Sequence, residues 1–89
     1  MKNCILNIKR SLNSDEALSY RLAYTEEEDE ILYNLSVTYH INNSESEEIT
    51  LWDISRNKKE AIDKAFLFAY EQVTPNTAEI IMEELLSKV

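Results

Sequence analysis

The stretch ILYNLSVTYHI, residues 31–41, decides the fold. Ile31, Tyr33, Leu35, Val37, Tyr39 and Ile41 alternate with mostly polar Asn34, Ser36, Thr38 and His40. Period two over eleven residues is a strand with one buried face. ALSYRLAY, residues 17–24, repeats the pattern through Leu18, Tyr20, Leu22 and Tyr24, with Ser19 and Arg21 opposite. NCILNIKR (3–10) and EEITLWDI (47–54) are less regular but rich enough in Ile, Leu and Trp to be strands. Short polar connections between the four predict antiparallel neighbours, because a parallel pair needs a long crossover. TEEEDE (25–30) then joins the second and third strands as a hairpin tip, and the stretch around NNSESE (42–47) joins the third and fourth. The chain contains no glycine. Tight turns want positive φ, which Asn and Asp tolerate best, so Asn13, Asp29, Asn42 and Asn43 are expected in turns. The loops are expected to be longer than minimal.

After Ser55 the period changes. Asn57 followed by Glu60 fits a helix cap. Ile62, Ala65, Phe66, Ala69 and Val73 make one helical stripe, with Phe68 and Tyr70 at its flanks. Thr74-Pro75 is a second start signal, and Ala78, Ile81, Met82, Leu85 and Val89 make the second stripe. The fold class predicted is α+β: a four-stranded antiparallel sheet followed by two helices on one face, ββββαα, as a single domain over 1–89. Trp52 is open to two registers. If Leu51 faces the helices, Trp52 faces out; in the other register, which is preferred, Trp52 and Ile54 are core.

The chain is 89 residues with a net charge of −8 and one cysteine. No disulfide can form within it, and a reducing, cytoplasmic setting fits best. MKNCILNIKR has too short an apolar run for a signal peptide, and no run approaches a membrane span. From Leu22 to Ser55 there are nine acids and no Lys or Arg. Such a charge disfavours direct nucleic-acid binding and favours a protein partner with a basic surface. Solubility alone is the competing explanation.

Glu26, Glu27, Glu28, Asp29 and Glu30, with Glu45, Glu47 and Glu48, are the candidate partner-binding residues. A calcium loop needs spaced oxygens and a glycine, and TEEEDE has neither, so no metal or other cofactor is expected. On an extended strand, Glu26, Glu28 and Glu30 would form a row about 6.6 Å apart, and Glu45 with Glu47 a second, in imitation of phosphates. The plainer alternative is that charged tips discourage strand pairing with other chains. His40 and Cys4 are the only residues of their types. A Cys–His pair across the first and third strands is the one nucleophilic arrangement open to them, although Cys4 is expected to be buried. No catalytic residue is assigned, and the chain is expected not to be an enzyme.

YRL at 20–22, DIS at 53–55, VTP at 73–75 and the tail IMEELL at 81–86 carry a resemblance over about residues 18–89. On these motifs the chain resembles a family of small bacterial proteins of unknown function, found mainly in anaerobic Gram-positive species. The resemblance implies no activity, and the acidic run lies outside its motifs. The expectation is a non-enzymatic domain whose acidic tips engage a basic surface, such as a nuclease, in the style of anti-CRISPR or anti-restriction inhibitors. The alternative is a housekeeping domain of that family, with a homodimer through a sheet edge or the helical face as one form of it.

Overall fold

The computed structural model describes residues 3–87. Four strands, β1 (Asn3–Ser11), β2 (Glu16–Glu27), β3 (Glu30–Ile41) and β4 (Ser44–Ser55), are followed by α1 (Lys58–Tyr70) and α2 (Pro75–Ser87). The strands form one antiparallel sheet in the order β1-β2-β3-β4, as the short connections predict. Both helices lie on one face, α1 mainly over β2 and β1 and α2 over β4 and β3. The result is an α+β slab of 42 × 32 × 18 Å. Val89, expected in the second helical stripe, lies outside the described residues.

The turns are shorter than expected. Glu27 pairs with Glu30 and Ile41 with Ser44, so each β-hairpin closes with only two residues. Glu28 and Asp29 have φ of 47° and 69°, and Asn42 and Asn43 have 53° and 66°. Two successive positive φ values make a type I′ turn, whose twist matches that of the flanking strands. Strand twist selects this turn even without glycine, and β2 and β3 reach into the acidic stretch as far as Glu27 and Glu30, with Glu28 and Asp29 as the turn. The connection before β2 is built by a side chain instead. Asn13 Oδ1 accepts from the N–H groups of Asp15 and Glu16, both at 2.8 Å.

The alternating faces of β2 and β3 make the core. Leu18, Tyr20, Leu22, Leu35 and Val37 are fully buried, and Tyr33 nearly so. Burying each such side chain contributes roughly 1.5–3 kcal/mol. The Tyr20 hydroxyl donates to Val73 O at 2.8 Å, tying the sheet centre to the link between the helices. Burial pushes the Tyr20 phenol up to about 12, against the smaller opposing field of Arg10.

Against this surface α1 sets Ala61, Ala65, Phe68 and Ala69. The expected stripe was turned too far: Phe66 is 53% exposed, whereas Phe68 is fully buried. Three alanines let the helix lie close to the sheet, and Phe68, three residues after Ala65, fills the remaining space. The Asn57 cap forms as expected, its Oδ1 accepting from Glu60 N–H at 3.0 Å. α1 ends in a Schellman motif, with Val73 N–H bonded to Phe68 O and Gln72 N–H to Ala69 O. The left-handed position in that motif is Gln72, φ 53°, where glycine is the usual occupant.

Trp52 takes the first of the two expected registers, with Leu51 facing the helices and Trp52 facing out, and a bulge follows it. Leu35 pairs with Leu51, but the next pair is Tyr33 with Ser55, so β4 carries two extra residues there. Asp53, at φ 52°, donates its N–H to the buried Asn34 Oδ1 at 2.8 Å. The bulge turns both Leu51 and Ile54 into the core and leaves Trp52 62% exposed. The preferred core placement of Trp52 is overturned: Leu51, opposite Leu35, faces the helices and so sends Trp52 out, while the bulge at Asp53 brings Ile54 into the core as well.

Replacing Asn34 with Ala removes the acceptor for Asp53 N–H. The expected result in urea unfolding is a loss of about 1–3 kcal/mol, with altered Trp52 fluorescence in the folded state. Gln72→Gly, by contrast, relieves a left-handed side chain and should raise stability by about 1 kcal/mol in the same assay.

Candidate functional site

The β2–β3 tip carries five consecutive carboxylates, all exposed. Glu26 stands opposite Ile31 and Glu27 opposite Glu30, while Glu28 and Asp29 form the turn. The expected row of Glu26, Glu28 and Glu30 does not form, because a left-handed turn interrupts the extended backbone between them. The tip is a cluster instead. Like charges directly opposite one another repel, and here the Glu27/Glu30 pair is relieved from outside the hairpin. Arg56 Nη1 lies 2.6 Å from Glu30 Oε2, and its Nη2 lies 3.4 Å from Asp53 Oδ2. A hydrogen bond to Asp53 and the charge of Glu30 raise the Arg56 guanidinium above the ordinary arginine value. Among the described residues, Glu26, Glu27, Glu28 and Asp29 have no cation within ion-pair distance.

The second acidic group lies on β4 at the other end of β3. The register shifts between Tyr39 and His40, so Glu45 pairs with His40, Glu47 with Tyr39 and Glu48 with Thr38. Ser46 is the inserted residue. Glu45 therefore shares the open face of the sheet with Glu48, and the expected row of Glu45 with Glu47 is overturned by the bulge. Thr38 Oγ1 donates to Glu48 at 3.0 Å. Glu47 turns towards the helical side, where its charge helps to raise the Tyr39 phenol. The larger cause of that rise is the hydrogen bond Tyr39 gives to Glu16. Glu16 is in turn lowered, first by Tyr39 and then by Asn13 Nδ2, 2.8 Å from its Oε1.

The face of the sheet away from the helices is polar. Ser36 and Thr50 hydroxyls meet at 3.0 Å, and Ser19 Oγ meets His40 Nε2 at 2.9 Å. A shallow hollow of about 120 Å³ lies among Asn7, Ser19, Arg21, Thr38, His40 and Glu48. The Ser19–His40 contact was not legible in the sequence, since the residues are 21 apart and meet on a diagonal. Ala17 is the residue paired with His40 and Thr38 the one paired with Ser19. A serine beside an imidazole is half of a nucleophilic arrangement. Here it sits in a shallow hollow on the open face of the sheet, beside the central strand ladder.

Cys4 is exposed, not buried as expected. It pairs with Ala23, whereas His40 aligns through Ala17 with Ser11, seven residues further along β1. At about 3.3 Å per residue this separates them by some 23 Å along the sheet, so the two make no pair. Among the described residues no group of three or more His, Cys, Asp or Glu side chains could hold a metal ion. No described helix is long and apolar enough to cross a membrane. Comparison of the chain with protein-family models, curated proteins and solved structures finds no match in any of the three.

The Glu16–Tyr39 contact has a definite pH signature. Because the folded Glu16 pKa is depressed, its contribution is present above the ordinary glutamate value of about 4.3 and is lost as pH falls through the folded value. Tyr39→Phe should move the Glu16 carboxyl titration, followed by NMR, upward towards the ordinary value. It should also make acid unfolding less steep.

Proposed function

We propose that the chain is a protein-binding domain that offers its acidic tips to a basic surface. The most specific form is inhibition of a nucleic-acid-handling enzyme by occupying a groove meant for phosphates. One observation carries this reading: unneutralised carboxylates gather at both ends of β3, while Arg56 compensates only Glu30 and Asp53. Charges placed only to keep the chain soluble have no need to concentrate in this way.

The dimensions suit the role. The eleven steps along the twelve-residue β3 span roughly 36 Å, at about 3.3 Å per residue, which is the length of about ten nucleotides at 3.4 Å each. The type I′ turn holds the β2–β3 tip without a floppy loop, so little ordering is needed on binding. The Glu45 and Glu48 side chains on the open face meet a partner from a different direction. A long basic groove, or two basic patches, would engage both.

The test uses Glu26→Lys, Glu27→Lys and Glu28→Lys together, leaving Glu30 and its contact with Arg56 intact. Immobilised wild-type chain should capture, from host lysate, proteins with basic nucleic-acid grooves, and capture should weaken steeply with salt. The triple reversal should weaken binding of a captured protein about 10- to 100-fold while leaving the thermal midpoint unchanged or raised. Equal capture by wild type and the reversed variant rejects the proposal.

A further inference from the structure

The helical face of the sheet is left open beside the acidic β2–β3 tip. α1 begins at Lys58, and next to it a hollow of about 250 Å³ lies among Ile5, Tyr24, Glu26, Ile31, Tyr33 and Lys58. Tyr24 stands opposite Tyr33, with ring centroids 6.4 Å apart and planes tilted by 55°. Glu26 and Ile31 are the next pair on that face, nearer the tip, and Ile31 is 43% exposed. The hollow thus joins an aromatic pair and apolar surface to the first carboxylate of the acidic run.

Tyr33 is the group in it that the fold leaves unexplained. Only 7% of the residue is exposed. Tyrosines held inside a fold ordinarily find a partner for the hydroxyl. Tyr20 and Tyr39 do so, on Val73 O and on Glu16. The Tyr33 hydroxyl has no hydrogen-bond partner among the described residues, and its oxygen is accessible rather than sealed in. It is therefore free to bond with whatever enters the hollow that Tyr33 lines.

We propose that this hollow receives one arginine side chain of the basic partner, so that the acidic tip attracts the partner and the hollow seats it. The inference rests on the protein-binding reading above and names the group that is bound. Each part of the lining supplies a contact that arginine uses. Tyr24 offers aromatic surface to the guanidinium, and Glu26 a charged acceptor. The Tyr33 hydroxyl is a neutral acceptor, while Ile5 and Ile31 cover the aliphatic stem. Grooves that hold phosphates are where such arginines stand ready.

Charge and polarity exclude the other occupants. An anion would meet Glu26 within the hollow and the unneutralised Glu27, Glu28 and Asp29 beside it. A purely apolar anchor would cover Glu26 and the Tyr33 hydroxyl without giving either a donor, which is unfavourable. Lysine carries a compact point charge, whereas the planar guanidinium can serve the carboxylate and the hydroxyl together while stacking. Lys58 is the one lining group that opposes a cation. It is exposed in the first turn of α1, where its long side chain can turn out to solvent.

The test compares a labelled short oligolysine with the same peptide carrying arginine at its centre, by fluorescence anisotropy at low salt. The wild-type chain should bind both, and the arginine peptide about three- to tenfold more tightly. Tyr33→Phe removes a hydroxyl that bonds to nothing within the chain, so its thermal midpoint should match wild type while the preference falls about twofold. Tyr24→Leu should abolish the preference, and neither variant should change the oligolysine affinity. Lys58→Ala should tighten the arginine peptide about twofold; weaker binding by that variant would mean that the hollow takes an anion, and overturns the proposal. Equal binding of the two peptides by wild type overturns the arginine site and leaves the acidic-tip reading standing. Failure of both peptides to bind overturns the two together. A preference that survives both tyrosine substitutions also overturns the site, because the arginine then sits elsewhere.

Discussion

The bond from Asp53 N–H to Asn34 Oδ1 is the constraint on which the rest of the structure depends. A strand of strict alternation would send Leu51 and Ile54 to opposite faces. The buried amide of Asn34 stabilises two extra residues and a left-handed Asp53, and both apolar side chains then enter the core. The same detour brings Ser55 opposite Tyr33 and carries the chain over to the helical side. Arg56 emerges between Glu30 and Asp53, and Asn57 follows at once as the cap of α1. Partial neutralisation of the acidic tip and the start of the first helix are thus consequences of one polar group inside β3.

Strand twist is the second governing condition, and it acts on a chain without glycine. All six described residues with positive φ carry side chains. Asp and Asn occupy four of these positions at modest cost, while Glu28 and Gln72 are less suited to them. At Glu28 the unfavourable backbone coincides with the most acidic part of the chain. The turn that gives the hairpin its twist also presents Glu28 and Asp29 at its extremity, so charge display and hairpin geometry are a single feature.

Charge is sorted across the sheet. β1 carries Lys9 and Arg10, β2 carries Arg21 on the open face, and β4 carries Glu45, Glu47 and Glu48. Both outer edges carry charges and bulges that resist strand addition, acidic on β4 and basic on β1. This division leaves one outer strand of the small domain basic and the other strongly acidic.

Periodicity was enough to place Leu18, Tyr20, Leu22, Leu35 and Val37 in one core, and the cap signals were enough to start both helices. These features arise from interactions between neighbours in sequence, which spacing records directly. The acidic tip was legible for the same reason, since its charges are consecutive. The placement of Phe68 inside and Phe66 outside, the sharing of a face by Glu45 and Glu48, and the Ser19–His40 contact were not. Each depends on a bulge, a helix rotation or a diagonal across strands. The packing of residues distant in sequence sets these, and no local spacing encodes them. Trp52 and Ile54 show the division most plainly: alternation offered two faces, the pairing of Leu51 with Leu35 sends Trp52 out, and the bulge held by the buried Asn34 brings Ile54 in with Leu51.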